Sequence, residues 1–423
     1  MKKAFLILGA VAICATSMAQ NESEKKIEDE GYKFDTVKVI PITPVKNQYR
    51  AGTCWCYSGL GFIESELLRM GKGEYDLSEM YIVGHTYNDR AMAAIRTSGD
   101  CSFSQGGAFN DVIVGMKQYG LVPEEVMRPG VMYGDTLSNH AELSAITDAM
   151  VKAVAKGSLR PLQTSPDGEL MCMKAIAAVH DVYLGKAPEK FTYKGKEYTA
   201  QSFYESLGLN ADDYVSITSY THHPFYEKFI LEIQDNWRWG QSYNVPIDEF
   251  MEIFDYAIDN GYTIAWGSDV SEEGFRWGRK TGACVLPDLE AKQGSTMGSD
   301  MAHWTGMSLA ERKSEAEKRP TPQRWVTQEE RQRGYDNRET TDDHGMLIYG
   351  KAKDQLGNEY YMVKNSWGDY GPFHGSFFAS KAFVRYKTMN IVVHKDAIPA
   401  AIKAKLGIDG SSNTKATKKS KKK

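Results

Sequence analysis

Two hydrophobic periods divide this chain, and they fix its fold class before any motif is considered. Up to about residue 260 the apolar residues recur mostly at helical spacing. Leu60, Ile63, Leu67 and Leu68 follow Cys54 in this way, and Phe109, Val112, Ile113 and Met116 follow a glycine pair. Ile146, Met150 and Val154 form a third stripe, Met173, Ile176, Ala177 and Val182 a fourth, and Phe250, Ile253, Phe254 and Ile258 a fifth. From Met346 onward the apolar residues instead run as strands: Met346 to Tyr349, Tyr360 to Val363, Phe377-Phe378 and Ile391 to Val393. Helices first and a sheet afterwards predict an α+β fold. Two strand signals interrupt the helical part, an alternating segment over residues 36–42 and a hairpin over 191–198 with Gly195 in its turn. Residues 305–341, rich in charge, Gln and Pro, read as an exposed helix plus a loop.

The 423 residues suit two domains, or one domain enlarged by an insertion. A composition of 42% hydrophobic and 25% charged residues excludes collagen-like, low-complexity and wholly disordered chains. The net charge of −4 conceals a division: residues 409–423 hold six lysines and one aspartate, so the body is acidic and the terminus basic. Such a tail suits an anionic surface or nucleic acid, and a solvated, disordered end is the plainer reading.

Met1-Lys2-Lys3, an apolar run to Ala15, and the small residues Ser17 and Ala19 have the layout of a signal peptide cleaved after Ala19. The run is shorter than the roughly 20 residues that span a bilayer, and bulky Ile13 before Cys14 argues against lipidation. An exported, periplasmic or secreted soluble protein is expected, with residues 20–34 as a polar linker. Removing Cys14 leaves Cys54, Cys56, Cys101, Cys172 and Cys284, an odd number for an oxidising compartment. At least one thiol stays free, and Cys101, Cys172 and Cys284 leave room for one disulfide.

Cys54 is placed for chemistry. At a helix N-terminus it feels the positive end of the macrodipole, and an adjacent imidazolium would lower its pKa further, toward a thiolate at neutral pH. If the last strands form a hairpin centred between Asp354 and Gln355, His344 lies opposite Asn365. The Asn365 amide oxygen then accepts the imidazole Nδ1 proton and leaves Nε2 for the thiol. Trp367 lies near that bond and keeps water off it, while Asp343 is placed to tune the imidazole or shape specificity. Gln48 offers an amide donor which, with the Cys54 N–H, makes an oxyanion hole worth about 2.7–4 kcal/mol per donor. No cofactor is implied. Cys54 and Cys56 lack a second ligand pair at zinc spacing, and His222-His223 read as loop residues, so no metal is expected.

Gln48 to Trp55, Asp343-His344-Gly345 and Lys364-Asn365-Ser366-Trp367-Gly368 resemble the three active-site blocks of papain-like cysteine peptidases. Ala51 stands where papain and the cathepsins carry a further cysteine, so their structural disulfide is missing. Bleomycin hydrolase and bacterial aminopeptidase C, the branch with large helical insertions, are the closer resemblance. It spans residues 35–400, with the insertions within about residues 137–335 and the basic tail over 401–423. The resemblance implies a papain-like fold with a helical subdomain and a β-barrel-like sheet subdomain. It also implies catalytic Cys54, His344 and Asn365, peptide binding along Gly106-Gly107, and a hexamer. In the family a C-terminal arm restricts the cleft to N-terminal residues, which makes these enzymes aminopeptidases. The terminus of this chain departs from that pattern, so an open-cleft endopeptidase is the first alternative. A nucleic-acid or surface-binding protein using the lysine tail is the second, and the acidic body argues against it.

Overall fold

The strand at His344–Asp354 is the axis of the structure, because both of its edges are paired along its length. The computed structural model describes residues 31–278, 281–290, 304 and 306–409. The signal segment, most of the 20–34 linker and the tail beyond residue 409 lie outside them. In chain order the strands are β1 (Phe34–Val39), β2 (Phe191–Tyr193), β3 (Lys196–Tyr198), β4 (Tyr214–Thr218), β5 (Lys228–Ile230), β6 (Gln241–Asn244), β7 (Ile264–Ser268), β8 (Ala283–Cys284), β9 (His344–Asp354), β10 (Glu359–Lys364), β11 (Ser376–Ser380) and β12 (Thr388–His394). β2 and β3 form the separate hairpin expected around Gly195. The other ten make one mixed sheet in the order β5-β6-β4-β12-β7-β9-β10-β11-β8, with β1 beside β9. This sheet is open, so the barrel-like character expected of it is not a closed barrel. β7 takes the first half of one edge of β9 and β1 takes the second half, while β10 pairs along the other edge.

Period-two alternation lets β9 serve two cores. Leu347 points to a core shared with helices α1 (Cys54–Arg69), α2 (Glu79–Arg96) and α3 (Phe109–Gln118). Met346 and Ile348 point to the opposite core, filled by Phe250, Ile253, Phe254 and Ile258 of the later helix at Ile247–Asp259. Helices α4 (Ala141–Ala155) and α5 (Met171–Leu184) pack outside α2. Their positions match expectation, and Ile176, with Met150 and Met173 packed beside it, is inward as expected, but the rest of the buried faces differs. α4 buries Leu143, Thr147 and Val151, the stripe one residue away from Ile146, Met150 and Val154, and α5 buries Ile176, His180 and Leu184 while exposing Val182. The polar surface of α2 explains the choice for α5, because Asn88 Oδ1 accepts a 2.7 Å hydrogen bond from His180 Nδ1 and so draws the polar residue inward.

One boundary and the cysteine pairing also change. Ala400–Leu406 is a helix whose Ile402 and Leu406, with Ile408 beyond it, are buried in the second core, so residues 401–409 belong to the domain rather than to a disordered tail. All five described cysteines are free, so the disulfide allowed among Cys101, Cys172 and Cys284 is not formed; Cys56 and Cys284 are buried. No helix of the described residues is long and apolar enough to cross a membrane. Leu406→Ala should lower stability by about 2–5 kcal/mol, read as an earlier urea midpoint, if this last helix is structural. An unchanged midpoint would make it a surface appendage.

Candidate active site

The turn between β9 and β10 sets the site's register. Asp354 Oδ1 accepts from the backbone N–H groups of Leu356 and Asn358, each at 2.9 Å, and Gly357 takes φ +83°. The turn therefore centres near Leu356, with Lys353 facing Glu359, rather than between Asp354 and Gln355. A bulge between Met362 and Val363 then shifts the pairing by one, so that Leu347 faces Lys364. Extending that register puts His344 opposite Trp367, and the two rings stack at 4.4 Å and 27°. Asn365 reaches the imidazole diagonally: His344 Nε2 lies 2.8 Å from Asn365 Oδ1, both side chains being buried.

That bond fixes the tautomer. Asn365 Oδ1 also accepts the Ser366 N–H at 2.8 Å, which identifies it as the oxygen, so His344 Nε2 is the protonated nitrogen and Nδ1 carries the lone pair. The expected roles of the two ring nitrogens are thus exchanged, because the diagonal approach from beyond the bulge meets the far side of the ring. Burial pushes the His344 pKa down to about 4, against smaller upward effects of Asn365 and Asp343.

Cys54 opens α1 after Thr53, and its own N–H has no acceptor among the described residues. Its thiol receives hydrogen bonds from the backbone of Gly345 and Trp55, so it lies beside the residue that follows His344. Gly345 is required for that approach, since a methyl group there would sit 2.8 Å from Ser58 Oγ. Burial, with Asp342 and Asp235 adding to it, pushes the Cys54 pKa up to about 11 despite the two N–H donors. A lone thiolate at neutral pH is therefore not favoured, contrary to the helix-dipole expectation. Enclosure disfavours charging either group alone; a proton passed from sulfur to ring charges both together.

Gln48 is buried behind the nucleophile. Its backbone N–H donates to Ser366 O at 2.8 Å, its Oε1 accepts from Ser366 Oγ at 2.6 Å, and its Nε2 donates to Ala51 O at 2.7 Å. Nε2 keeps a second hydrogen for another acceptor. Behind Asn365, Lys364 Nζ donates to Thr43 Oγ1, which donates to Glu64 Oε2, so polar bonds brace both sides of this strand end. Gly107 lies against the Trp55 ring, where any side chain would clash. Gly106 is covered instead, since a methyl group there would fall within the Asp235 carboxylate, and its carbonyl accepts from Arg90 Nη1 at 2.5 Å.

Asp343 lines the cavity beside His344 and pushes the imidazole pKa upward, as expected, and it has a structural role as well. It accepts from the N–H groups of Val270 and Ser271 and from Thr341 Oγ1, which ties down the start of β9. Its neighbour Asp342 and the distant Asp235, neither singled out in the sequence, line the cavity with Cys54 and His344. The Asp342-Asp343 pair before His344 is visible in sequence, and both line the cavity, but nothing there tells that Asp343 is tied to the Val270 and Ser271 N–H groups while Asp342 is left without such a bond. His222 and His223 each meet the Glu232 carboxylate, at 3.0 and 3.1 Å. Gln332, oriented by the Thr221 N–H, donates to His222 Nδ1, so His222 Nε2 holds a proton rather than a lone pair for a metal.

Comparison with known proteins agrees with this fold. A model described as the Peptidase C1-like family matches residues 82–302 and 326–411, a span that begins after Cys54 and includes His344 and Asn365. Aminopeptidase C of Lactococcus lactis subsp. cremoris is 23% identical over 392 residues, covering 84% of this chain and 81% of the relative. Aminopeptidase G of Lactobacillus delbrueckii subsp. lactis is 23% identical over 393 residues, covering 84% and 82%. In fold, PepW from Lactobacillus rhamnosis HN001 superposes with a TM-score of 0.64 at 18% identity, over 96% of this chain and 95% of that one. Fold and site together define a cysteine peptidase of papain-like architecture. The chain belongs to the Peptidase C1-like family.

Because the stacked ring is what keeps water from His344, Trp367→Ala should return its pKa toward the ordinary 6.5. The acid limb of kcat/KM should move upward in pH from near 4. A wild-type limb already near 6.5, unmoved by the substitution, would refute this account of the burial.

Proposed function

We propose that the protein is a cysteine aminopeptidase that removes residues from the N-termini of peptides. The observation that carries the reading is the oriented His344–Asn365 pair, whose unprotonated Nδ1 belongs to the residue adjoining the one that hydrogen-bonds Cys54. In this reading His344 Nδ1 takes the Cys54 proton and the sulfur attacks the scissile carbonyl. The carbonyl oxygen becomes an oxyanion, held by the Cys54 N–H and the second Gln48 Nε2 hydrogen. The imidazolium then gives its proton to the leaving amine, and a thioester remains. Neutral His344 next takes a proton from water, which attacks the thioester; the acid departs and the thiol is restored. Asn365 holds the ring in the required tautomer, and Trp367 shields their bond.

The aminopeptidase part is supported by the names of the relatives, aminopeptidases C and G, and by the Asp235 carboxylate that covers Gly106 beside the cavity that Cys54 lines. Export is proposed on the N-terminal pattern alone, and a hexamer on family resemblance alone. Cys54→Ala should reduce hydrolysis of an aminoacyl fluorogenic amide by at least about a thousandfold. Gln48→Ala should lower kcat by about a hundredfold to a thousandfold. Normal turnover by Cys54→Ala would overturn the assignment. Hydrolysis of only the N-blocked form of the substrate would replace it with the endopeptidase reading.

A further inference from the structure

The segment between β5 and β6 brings a carboxylate to the cleft from far along the chain, and it is held firmly. Asn236 Nδ2 donates to Leu231 O and Gly240 O at 3.0 and 2.9 Å, and its Oδ1 accepts the Gly240 N–H at 2.8 Å, closing the segment on itself. Trp237 Nε1 and Arg238 Nε then bond the buried Asp111 near the start of α3, and Arg238 Nη2 bonds Asp89 of α2 at 2.6 Å. Asp235 is thereby fixed over Gly106. The partner it finds is Arg90, at 3.3 Å, and that fully buried guanidinium also donates to Ser102 O and Gly106 O at the shorter distances of 2.7 and 2.5 Å.

The same cavity is lined by Asp342, two residues before His344. Its side chain has no hydrogen bond or ion pair among the described residues. The carboxyl is partly buried, and this desolvation, with Asp235 and Asp343 nearby, pushes its pKa up to about 7. Both Asp235 and Asp342 raise the pKa of Cys54, which places their charges within reach of the nucleophile. The site thus sets two carboxylates against one guanidinium that is mostly engaged elsewhere. Such a site lowers its energy by taking up a cation with hydrogen-bond donors. The cavity is small, about 30 Å³, which is room for little more than a group of water size.

We propose that Asp235 and Asp342 receive the free α-ammonium of the substrate's N-terminal residue, and so make the cleft selective for unblocked peptide ends. This rests on the cysteine-peptidase reading and names the residues that decide its substrate class. A longer or N-blocked chain passing Gly106 meets the Asp235 carboxylate, and the Gly106 carbonyl that would pair with it is already bonded to Arg90. The α-ammonium has three donors for the two carboxylates, and its charge removes the repulsion between them.

The test uses the full chain and three fluorogenic amides of one amino acid: free amine, N-acetylated, and with hydroxyl in place of the amine. Asp235→Asn and Asp342→Asn keep shape and remove charge. Each should raise KM for the free amine by about tenfold or more while changing kcat far less, as expected on losing a charge-assisted bond. The preference for amine over hydroxyl should fall by a similar factor in each variant, a change that a purely steric role would not produce. A wild-type urea midpoint confirms that each variant is folded, and if one is not, the other decides; because either change removes negative potential from the sulfur, iodoacetamide should label Cys54 no more slowly than in the wild type. An unchanged amine-to-hydroxyl preference in a folded variant would overturn the proposal. Full hydrolysis of the free amine by Cys54→Ala would instead overturn the underlying peptidase reading, and the proposal with it.

Discussion

One hydrogen bond, from His344 Nε2 to Asn365 Oδ1, decides what the rest of this site can do. Without it either imidazole nitrogen could carry the proton; with it Nδ1 is the base. The bond depends on a sequence of local causes. The Asp354 turn and the bulge at Met362 bring Trp367 over the imidazole and Asn365 in from the diagonal. The Ser366 N–H then fixes the amide, and Ser366 Oγ in turn bonds Gln48, linking the base's support to the segment that leads into Cys54. A change of one residue in that register would turn the strand end's side chains to the other face.

The surroundings oppose charge on either reacting group taken alone. Burial raises the thiol's pKa and lowers that of the imidazole, and Asp235 and Asp342 add negative potential at the sulfur. Two backbone donors, from Gly345 and Trp55, offset part of this. The consequence is a site whose charge state responds to what enters it. A substrate cation between the two carboxylates weakens their repulsion of a thiolate, so binding and activation of the nucleophile are coupled through electrostatics at short range.

Much of this was legible in the sequence because it is local. The helix beginning at Cys54, the β2-β3 hairpin and the His344 and Asn365 strands each announce themselves by period and turn residues. What escaped depends on tertiary partners. The hairpin centre moved because the Asp354 side chain makes the turn, which counting residues between strands does not detect. The α4 stripe was offset by one position because its neighbours, rather than its own apolar residues, select the buried face. Asp235 carries no motif at all. It reaches the cleft because Trp237 and Arg238, two and three residues away, bond Asp111 and Asp89 on helices that lie far back in the chain.

The most direct measurement of the central claim is the site of covalent labelling by a thiol-directed epoxide, mapped by peptide mass while hydrolysis of an aminoacyl amide is followed in parallel. The account predicts one label per chain, on Cys54, appearing in step with loss of activity, with Cys56, Cys101, Cys172 and Cys284 unmodified. Full labelling of Cys54 with hydrolysis undiminished, or inactivation accompanied by a label on another cysteine alone, would contradict it.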